Sequence, residues 1–580
     1  MAVLAERGRA RRRRPPARRP RLRPDAPSLP EDLTLIVEIS GRGKLVVGEP
    51  YFEPGQSILL DRKHMGDAGP GDLAAVTVGR GRARVERVLG KADDIEAVLE
   101  GLLVQDGLRE PFEPHDVPEP PLEDRVDLRD LPTFTVDPDT AKDFDDAISI
   151  RREGDGIRAW VHIADVAAYV PAGTPLDRGA AERSFSTYVP GRVAPMLPPE
   201  LSEDVCSLRP HVDRLTVTVE LPPEGEPLFY HSVIRSDARL TYGQVGRGEA
   251  DLPEVELAAA YSAELRRQRF ARGALRIETP EVNFEFDGQG GVARAWLEGE
   301  ADAHALIEEL MIAANEAVAR LLSSRKREAL YRVHERPDPQ AVLLLIAKLA
   351  DLEVPTPSAP DAERLRPGDA AKLAAAVAES VMGVRGRGEE AFPALVLRSL
   401  KQARYDPANL GHSGLASRAY SHFTSPIRRY PDLVVHRALL RELGLSDEQQ
   451  PDDLGELAEH ASARERAAAQ LEYRADDLCL AWLLERRLFE LGWDATFEGE
   501  ITGMIGSGLF VRFGEVFEGF LPARRLEGDY FELNPLATQL VGRRSSQRYR
   551  LGDPLEVRVQ EIRRHEGKVE LSEPSASSAR

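Results

Sequence analysis

The hydrophobic pattern of this 580-residue chain changes twice along its length, and that change limits its fold more than any other feature. Residues 32–88 form five short runs of alternating polar and apolar positions, typical of strands that close into a small barrel. Long segments between residues 126 and 488 carry one apolar helical face: 303–322, 341–352, 370–382 and 462–488. Residues 495–571 return to short strands. The sequence therefore predicts a multidomain protein, with an α+β body flanked by small all-β barrels.

The two strand-rich ends share a short pattern, G-D-x-x-x-V-x-V. It occurs at residues 71–78 and again at residues 552–559, and in each case a basic strand follows. This weak repeat predicts two barrels of one type, although a tight Gly-Asp turn before any strand would look the same.

The net charge of −20 is unevenly distributed. Residues 1–24 hold ten arginines and one glutamate, a charge of +9, so the remainder carries −29. The segment is proline-punctuated and poor in large apolar residues, which predicts a disordered arginine-rich arm over residues 1–30. Residues 91–125 are expected to form a linker, because 110–124 are rich in proline and acid, and residues 573–580 a tail.

Cysteine content and hydropathy indicate where the protein resides. The chain has two cysteines, Cys206 and Cys479, with no CxxC pattern, which favours a reducing compartment. Its longest apolar runs fall short of the roughly 18 residues that cross a bilayer. We therefore expect a cytoplasmic protein that does not enter a membrane.

An aspartate cluster is the sharpest local feature of the sequence. Five carboxylates lie within ten residues: Asp137, Asp139, Asp143, Asp145 and Asp146. An exposed loop could solvate them with water alone, but apolar residues on both sides favour a divalent cation as the counter-charge. The spacing does not match an EF-hand, whereas Mg²⁺ suits a loop that presents acids into a cleft. Two such ions about 4 Å apart can hydrolyse a phosphodiester.

A second motif, residues 421–437, places two arginines before a predicted helix. Pro426 favours an extended residue before it, and Pro431 suits the first helical turn. Arg428 and Arg429 therefore lie at a helix N-terminus, where an anion such as phosphate would offset their charge. An ordinary salt bridge to the acidic body is the alternative interpretation.

Together these motifs resemble the ribonuclease II/ribonuclease R (RNB) family of exoribonucleases. The resemblance runs in order through residues 137–147, 162–166, 188–202, 307–315, 400–405 and 422–433. It implies an RNB catalytic domain at 126–488, a cold-shock-like OB barrel at 31–90 and a C-terminal RNA-binding OB fold of a ribosomal-protein type at 495–572. Family members usually carry two cold-shock-type barrels before the body, and this chain has room for one recognisable barrel.

Membership in that family would define the reaction. It implies a hydrolytic, processive 3'-to-5' exoribonuclease that degrades single-stranded RNA to nucleoside 5'-monophosphates with Mg²⁺, and does not cleave DNA. The family pattern places the metal, expected as two ions, at Asp137, Asp143, Asp145 and Asp146. Asp145 and Arg428 match the residues expected to be catalytic, with Arg428 on the scissile phosphate. We expect a monomer.

The same resemblance suggests the residues that contact RNA. Tyr188 matches an aromatic that stacks on the 3'-terminal base, and Tyr242 a second tyrosine of the RNA path, although either could be half-buried core. One of Glu308 and Glu309 matches an acid that contacts the terminal nucleotide, and Glu309 lies nearer the apolar helical face. The remaining predicted contacts are Arg429, as a supporting residue, and Phe510, expected to be exposed beside a buried Phe520.

Two other functions compete with the exoribonuclease. A non-catalytic RNA-binding regulator on the same fold would have lost metal-site acids, and this chain keeps all four together with Arg428. A magnesium phosphatase would need Gly-Thr after the second acid of its DxD motif, which is absent after Asp145, and would leave residues 421–437 unexplained.

Overall fold

The computed structural model of the chain describes residues 34–43, 45–79, 82–277, 281–299, 301–360 and 364–574. The predicted arginine-rich arm lies outside these residues, as do residues 575–580 of the predicted tail. Within the described ranges, no helix has the length and apolar character that crossing a bilayer requires.

The first module is a five-stranded sheet whose two ends meet, which gives it the form of a small barrel. Its strands are β1 (Thr34–Arg42), β2 (Leu45–Pro50), β3 (Ile58–Leu59), β4 (Asp72–Val78) and β5 (Ala83–Lys91). They pair antiparallel in the order β3-β2-β1-β4-β5, and a parallel bridge from Leu60 to Ala83 joins the ends of the sheet. Val37, Ile39 and Val76 are fully buried inside it.

Helix α1 (Ile95–Gln105) follows the barrel and corrects the predicted linker at 91–125. Asp94 caps the helix by accepting a hydrogen bond from the Glu96 amide. Buried apolar residues recur at helical spacing and pack with the barrel: Ile95, Val98, Leu99, Leu102 and Leu103. Within residues 91–125, residues 92–94 and 106–125 lack helix and strand, and most of the acidic, proline-rich part is exposed.

The body that follows contains a seven-stranded sheet. Its strands are β6 (Val126–Asp127), β7 (Phe134–Asp137), β8 (Asp146–Glu153), β9 (Gly156–Ala164), β12 (Asp213–Leu221), β13 (Leu228–Arg235) and β14 (Ala238–Thr241). The sheet order is β14-β7-β8-β9-β12-β13-β6, with β14 parallel to β7. Three hairpins accompany it: β10 (Thr187–Val189) with β11 (Arg192–Ala194), β15 (Val282–Phe286) with β16 (Val292–Leu297), and β17 (Tyr331–Val333) with β18 (Arg404–Asp406).

Helices make up much of the rest of the body. They are α2 (Pro175–Arg183), α3 (Tyr242–Gly246), α4 (Pro253–Ala271), α5 (Ala301–Ser324), α6 (Pro339–Asp351), α7 (Pro367–Met382), α8 (Ala391–Ser399), α9 (Tyr430–Glu442) and α10 (Leu454–Leu491). The four helical segments predicted from apolar faces correspond to α5, α6, α7 and α10. One face of the sheet packs against α4, α5 and α9 in the larger apolar core.

The C-terminal module is a closed barrel of the same topology as the first. Its strands are β19 (Thr496–Ile505), β20 (Gly508–Phe513), β21 (Phe517–Pro522), β25 (Pro554–Arg563) and β26 (Lys568–Ser572), and a separate small sheet holds β22 (Phe531–Leu533), β23 (Gln539–Gly542) and β24 (Arg548–Arg550). In the C-terminal barrel the third strand pairs with the fifth in parallel, and in the first barrel Leu60, just after the third strand, makes the matching parallel bridge to the fifth. Each G-D-x-x-x-V-x-V repeat lies at the start of the fourth strand, so the repeated sequence pattern coincides with a repeated strand order.

A second apolar core joins both barrels to the body. It contains Leu73 of the first barrel, Leu99 of α1, Val189 of β10, Leu478 of α10 and Leu521 of the C-terminal barrel. The barrels are therefore packed on the body rather than attached by their connections alone.

Candidate active site

The aspartate cluster lies where strands of the central sheet begin and end. Asp137 is the last residue of β7 and Asp146 the first of β8, so the loop carrying Asp143 and Asp145 leaves the sheet at this point. Strand β14 ends beside it, with Thr241 opposite Asp137. Antiparallel pairing of β7 and β8 thus brings the four predicted metal-site acids to one end of the sheet.

Burial makes this cluster electrostatically unfavourable without a counter-charge. Burial and then the charge of Asp146 raise the pKa of Asp137 to about 7. Burial raises the pKa of Asp146 to about 6, and that of Asp145, which is 2% exposed, well above its usual range. Such shifts indicate carboxylates whose ionised forms need a nearby cation.

The donor atoms present fit Mg²⁺. One carboxylate oxygen on each of Asp137 and Asp145 (Oδ2) is buried and accepts no hydrogen bond. Across the described residues, no three His, Cys, Asp or Glu side chains converge as a metal cage. Mg²⁺ does not require one, because it is bound through one or two carboxylates and completes its shell with water and substrate phosphates.

A turn at residues 425–429 faces the cluster from the other side. The Ile427 amide donates to Asp145 Oδ1 at 2.8 Å, and Arg428 Nε lies 3.3 Å from Asp145 Oδ2. The Arg428 side chain remains 46% exposed, so its guanidinium can reach a bound phosphate. Helix α9 begins immediately after the turn with Pro431 in its first turn, as predicted.

Arg429 has a different environment from Arg428. Its Nε and Nη2 donate to the two oxygens of Asp432 at 3.0 and 2.7 Å. Asp432 is fully buried and also accepts the Ser425 amide at 2.8 Å. Arg429 therefore stabilises the turn, which matches the salt-bridge alternative, although it also lines the cavity beside Tyr188.

The two predicted tyrosines border the cluster. Tyr188, on β10, is 37% exposed, and its hydroxyl donates to Asp143 Oδ2 at 2.5 Å while its amide donates to Glu472. Tyr242 begins α3, next to the end of β14, and stacks on His304 with ring centroids 3.7 Å apart. Burial raises the pKa of both phenols, so both stay protonated at neutral pH.

The two glutamates on α5 have different surroundings. Glu309 is 2% exposed and accepts hydrogen bonds from Arg269 Nε at 3.1 and 3.0 Å, one to each carboxylate oxygen. The Glu308 side chain is 53% exposed, and its Oε1 lies 3.5 Å from Arg269 Nη2. Of the pair, Glu308 is the one presented to solvent.

Phe510 lies on β20 of the C-terminal barrel. It is 36% exposed, which matches the expectation. Phe520 was expected to be buried and is only half-buried, because it packs against Phe510 at the barrel surface with ring centroids 5.1 Å apart. The fully buried phenylalanines of this barrel are Phe513 and Phe517.

Sequence reasoning missed two residues that hold the site together. Asp432 lies within the second motif, and an acid in the first helical turn could have indicated its role. Glu472 lies on α10, 284 residues from the Tyr188 amide that it binds, and no local pattern indicates that contact.

The site and the fold match a known family. The family sequence model of the RNB domain matches residues 125–444, and that of the S1 RNA binding domain matches residues 491–573. The chain belongs to the RNB-domain family, and the predicted fold class is confirmed.

Among its relatives, the chain is 38% identical over 496 residues to Ribonuclease R of Escherichia coli, covering 80% of this chain and 59% of that protein. It therefore spans about three fifths of the length of this relative. The structure of Mycoplasma genitalium RNase R in complex with ribose methylated single-stranded RNA superimposes with a TM-score of 0.81 at 26% identity, covering 93% of this chain and 89% of that chain. Yeast Ssd1, a pseudonuclease, shares the fold alone, with a TM-score of 0.62 at 17% identity over 89% of this chain and 68% of its own.

Proposed function

We propose that this protein is a Mg²⁺-dependent hydrolase that processively removes nucleoside 5'-monophosphates from the 3' end of single-stranded RNA. One observation carries the proposal: Asp145 binds both the Ile427 amide and Arg428, which joins the acidic loop to the arginine turn in one site. Similarity to Ribonuclease R of Escherichia coli and to the RNA-bound Mycoplasma genitalium enzyme supports the direction and the substrate.

The acids would hold the metal, and the arginine the phosphate. Asp137, Asp143, Asp145 and Asp146 are the residues for Mg²⁺, which when bound activates water and stabilises the leaving oxygen of a phosphodiester. The half-exposed Arg428 guanidinium donates hydrogen bonds to the phosphate, and its pairing with Asp145 holds it at the end of the sheet.

Aromatic and acidic side chains would place the last nucleotide. The exposed face of Tyr188 lies beside Asp143, so a base stacked there puts its phosphate near the acids. Glu308 is the proposed acid for contact with the terminal nucleotide, since Arg269 already occupies Glu309. Tyr242, beside the end of β14, would line the same path.

The alternative is a non-catalytic RNA-binding regulator. The fold does not distinguish the two functions, because the pseudonuclease Ssd1 has it as well. The site favours the enzyme, since all four aspartates and Arg428 are present and two carboxylate oxygens lie buried without a hydrogen bond.

Hydrolysis of labelled RNA tests the proposal. The full chain with Mg²⁺ should shorten a 5'-labelled single-stranded RNA from its 3' end and leave the matching DNA intact, and EDTA should stop the reaction. Asp145→Asn should bind RNA without cutting it, because asparagine keeps the acceptor for the Ile427 amide and loses the charge. Intact RNA with the wild-type protein and Mg²⁺ would exclude the enzyme and favour the regulator.

A further inference from the structure

The β10–β11 hairpin, which carries Tyr188, is held between the active site and the first barrel. On one side, the Ser186 amide donates to the Arg428 carbonyl at 2.9 Å. On the other side, Val189 and Ala194 are buried in the same apolar core as α1. The position of the Tyr188 ring therefore depends on contacts at both ends.

The carboxylate of Glu100, on α1, links this hairpin to the first barrel. Its Oε1 accepts Arg87 Nη2 of strand β5 at 2.7 Å. Its Oε2 accepts Arg109 Nε at 3.1 Å and Arg192 Nη1 of strand β11 at 3.4 Å. Arg109 also donates to the Val193 carbonyl at 2.8 Å, so two separate contacts reach the hairpin from this junction.

Glu100 offsets part of the positive charge of the three arginines at this junction. Burial on its own favours the neutral form of Glu100, but the charges of Arg109 and Arg87 outweigh it and hold its pKa below the usual range. Without the carboxylate, three guanidinium groups would face one another. The other partner of Arg192 is Glu96 at 3.2 Å, whose side chain is 47% exposed, and exposed pairs hold a hairpin weakly.

We propose that Glu100 is a positioning residue for the 3'-terminal nucleotide, because it fixes the hairpin that presents Tyr188 relative to the first barrel. This inference rests on the proposed function, in which Tyr188 stacks on that nucleotide. The hydrogen bonds of Glu100 go to Arg87, Arg109 and Arg192, and none of these partners is one of the aspartates. Loss of the Glu100 carboxylate should weaken binding of the last base. The chemical step, which depends on Asp145 and Arg428, should be unaffected.

The test compares Glu100→Gln with Glu49→Gln. Glu49 lies on β2 of the same barrel and pairs with Ser40 and Arg42 only within that barrel. Each variant removes one negative charge, which by electrostatics alone would strengthen RNA binding. We expect Glu100→Gln to raise KM for single-stranded RNA by about three- to tenfold, a fraction of the contribution of one stacked base, with kcat little changed. Glu49→Gln should show no such rise.

A fluorescent base reports the stacking directly. In the Asp145→Asn background, 2-aminopurine at the 3' end of bound RNA should be quenched by stacking on Tyr188. The quenching should diminish with Glu100→Gln and remain with Glu49→Gln. Equal KM and equal quenching in the two variants would overturn the positioning role. If the wild-type protein leaves RNA intact, the proposed reaction fails, while the fluorescence of bound RNA still decides on Glu100.

A second variant guards against misfolding. Arg192→Gln removes the hairpin partner of Glu100 and should reproduce its loss of quenching, although its charge change is opposite. The double variant should lose less quenching than the sum of the two single losses, because both substitutions break the Glu100–Arg192 pair. Additive losses would show that the two residues act independently and would overturn the proposal. If Glu100→Gln does not fold, Arg192→Gln alone must show the loss of quenching. Unchanged quenching in Arg192→Gln would then overturn the proposal.

Discussion

Glu309→Gln should destabilise the catalytic body while leaving the RNA-binding surface in place. Glu309 and Arg269 are 2% and 6% exposed, and the carboxylate accepts hydrogen bonds from both Nε and Nη2 of the guanidinium. Removing one partner of a buried ion pair costs about 3–5 kcal/mol, because the other charge stays buried and unpaired. Glu308, 3.5 Å from Arg269, compensates in part, so we expect about 3 kcal/mol.

Thermal unfolding measures this effect. At about 2 °C per kcal/mol for a large domain, Glu309→Gln should lower Tm by about 6 °C. The matched control, Glu308→Gln, loses a carboxylate that is 53% exposed, which is worth about 0–1 kcal/mol, so its Tm should hardly change. Its KM for RNA should rise instead, since Glu308 is the proposed nucleotide contact.

A double variant tests the cause. Replacing both partners, as Arg269→Met with Glu309→Leu, leaves no buried charge and should recover most of the lost stability. A Glu309→Gln protein with unchanged Tm and weakened RNA binding would refute this reasoning and make Glu309 the nucleotide contact.

Three shorter predictions concern charge, docking and stacking. In EDTA, the wild-type protein should lose stability relative to Asp137→Asn as pH rises from about 4 to 7. The reason is that the pKa of Asp137 is about 7 in the folded protein and lower in the unfolded chain, so over this range the folded state retains a proton that the unfolded chain releases. Equal differences in Tm between the two proteins at pH 5 and pH 8 would contradict this. Glu500 accepts hydrogen bonds from the amides of residues 389–391 at the start of α8. Glu500→Ala should therefore lower the free energy of unfolding by about 0.5–2 kcal/mol and speed hydrogen exchange at these amides. Unchanged exchange would show that this contact does not hold the C-terminal barrel. Phe510→Ala should raise the Kd for single-stranded RNA about five- to hundredfold without changing Tm, since one stacked base contributes about 1–3 kcal/mol; unchanged affinity would place RNA elsewhere on this barrel.

Local sequence patterns predicted the helices and strands better than the contacts between them. The periodic apolar faces of α5 and α10 and the first-turn proline of α9 are contained within short segments, so they could be read from the sequence. Helix α1 was equally readable from its apolar spacing, but the acidic, proline-rich segment beside it suggested a linker throughout. The helical angle of Glu309 also indicated a buried, partnered carboxylate, which the structure contains.

Contacts between distant segments could not be read in this way. Asp145 meets Ile427 across 282 residues, and motif order along the chain gives no distance between them. The Glu100 junction likewise joins α1 to β11, 92 residues away, and the choice among many arginines depends on how the modules pack. Only the family resemblance linked the aspartates with Arg428 in advance.

The apolar core that contains Leu73, Leu99, Leu478 and Leu521 also governs how the molecule unfolds. Because both barrels and α10 bury their side chains in one cluster, neither barrel can separate without exposing apolar surface on the body. We therefore expect a single cooperative melting transition instead of three, and removal of a whole barrel would damage the remaining core as well as the RNA path. Point substitutions on exposed faces are consequently the variants that separate RNA binding from folding in this protein.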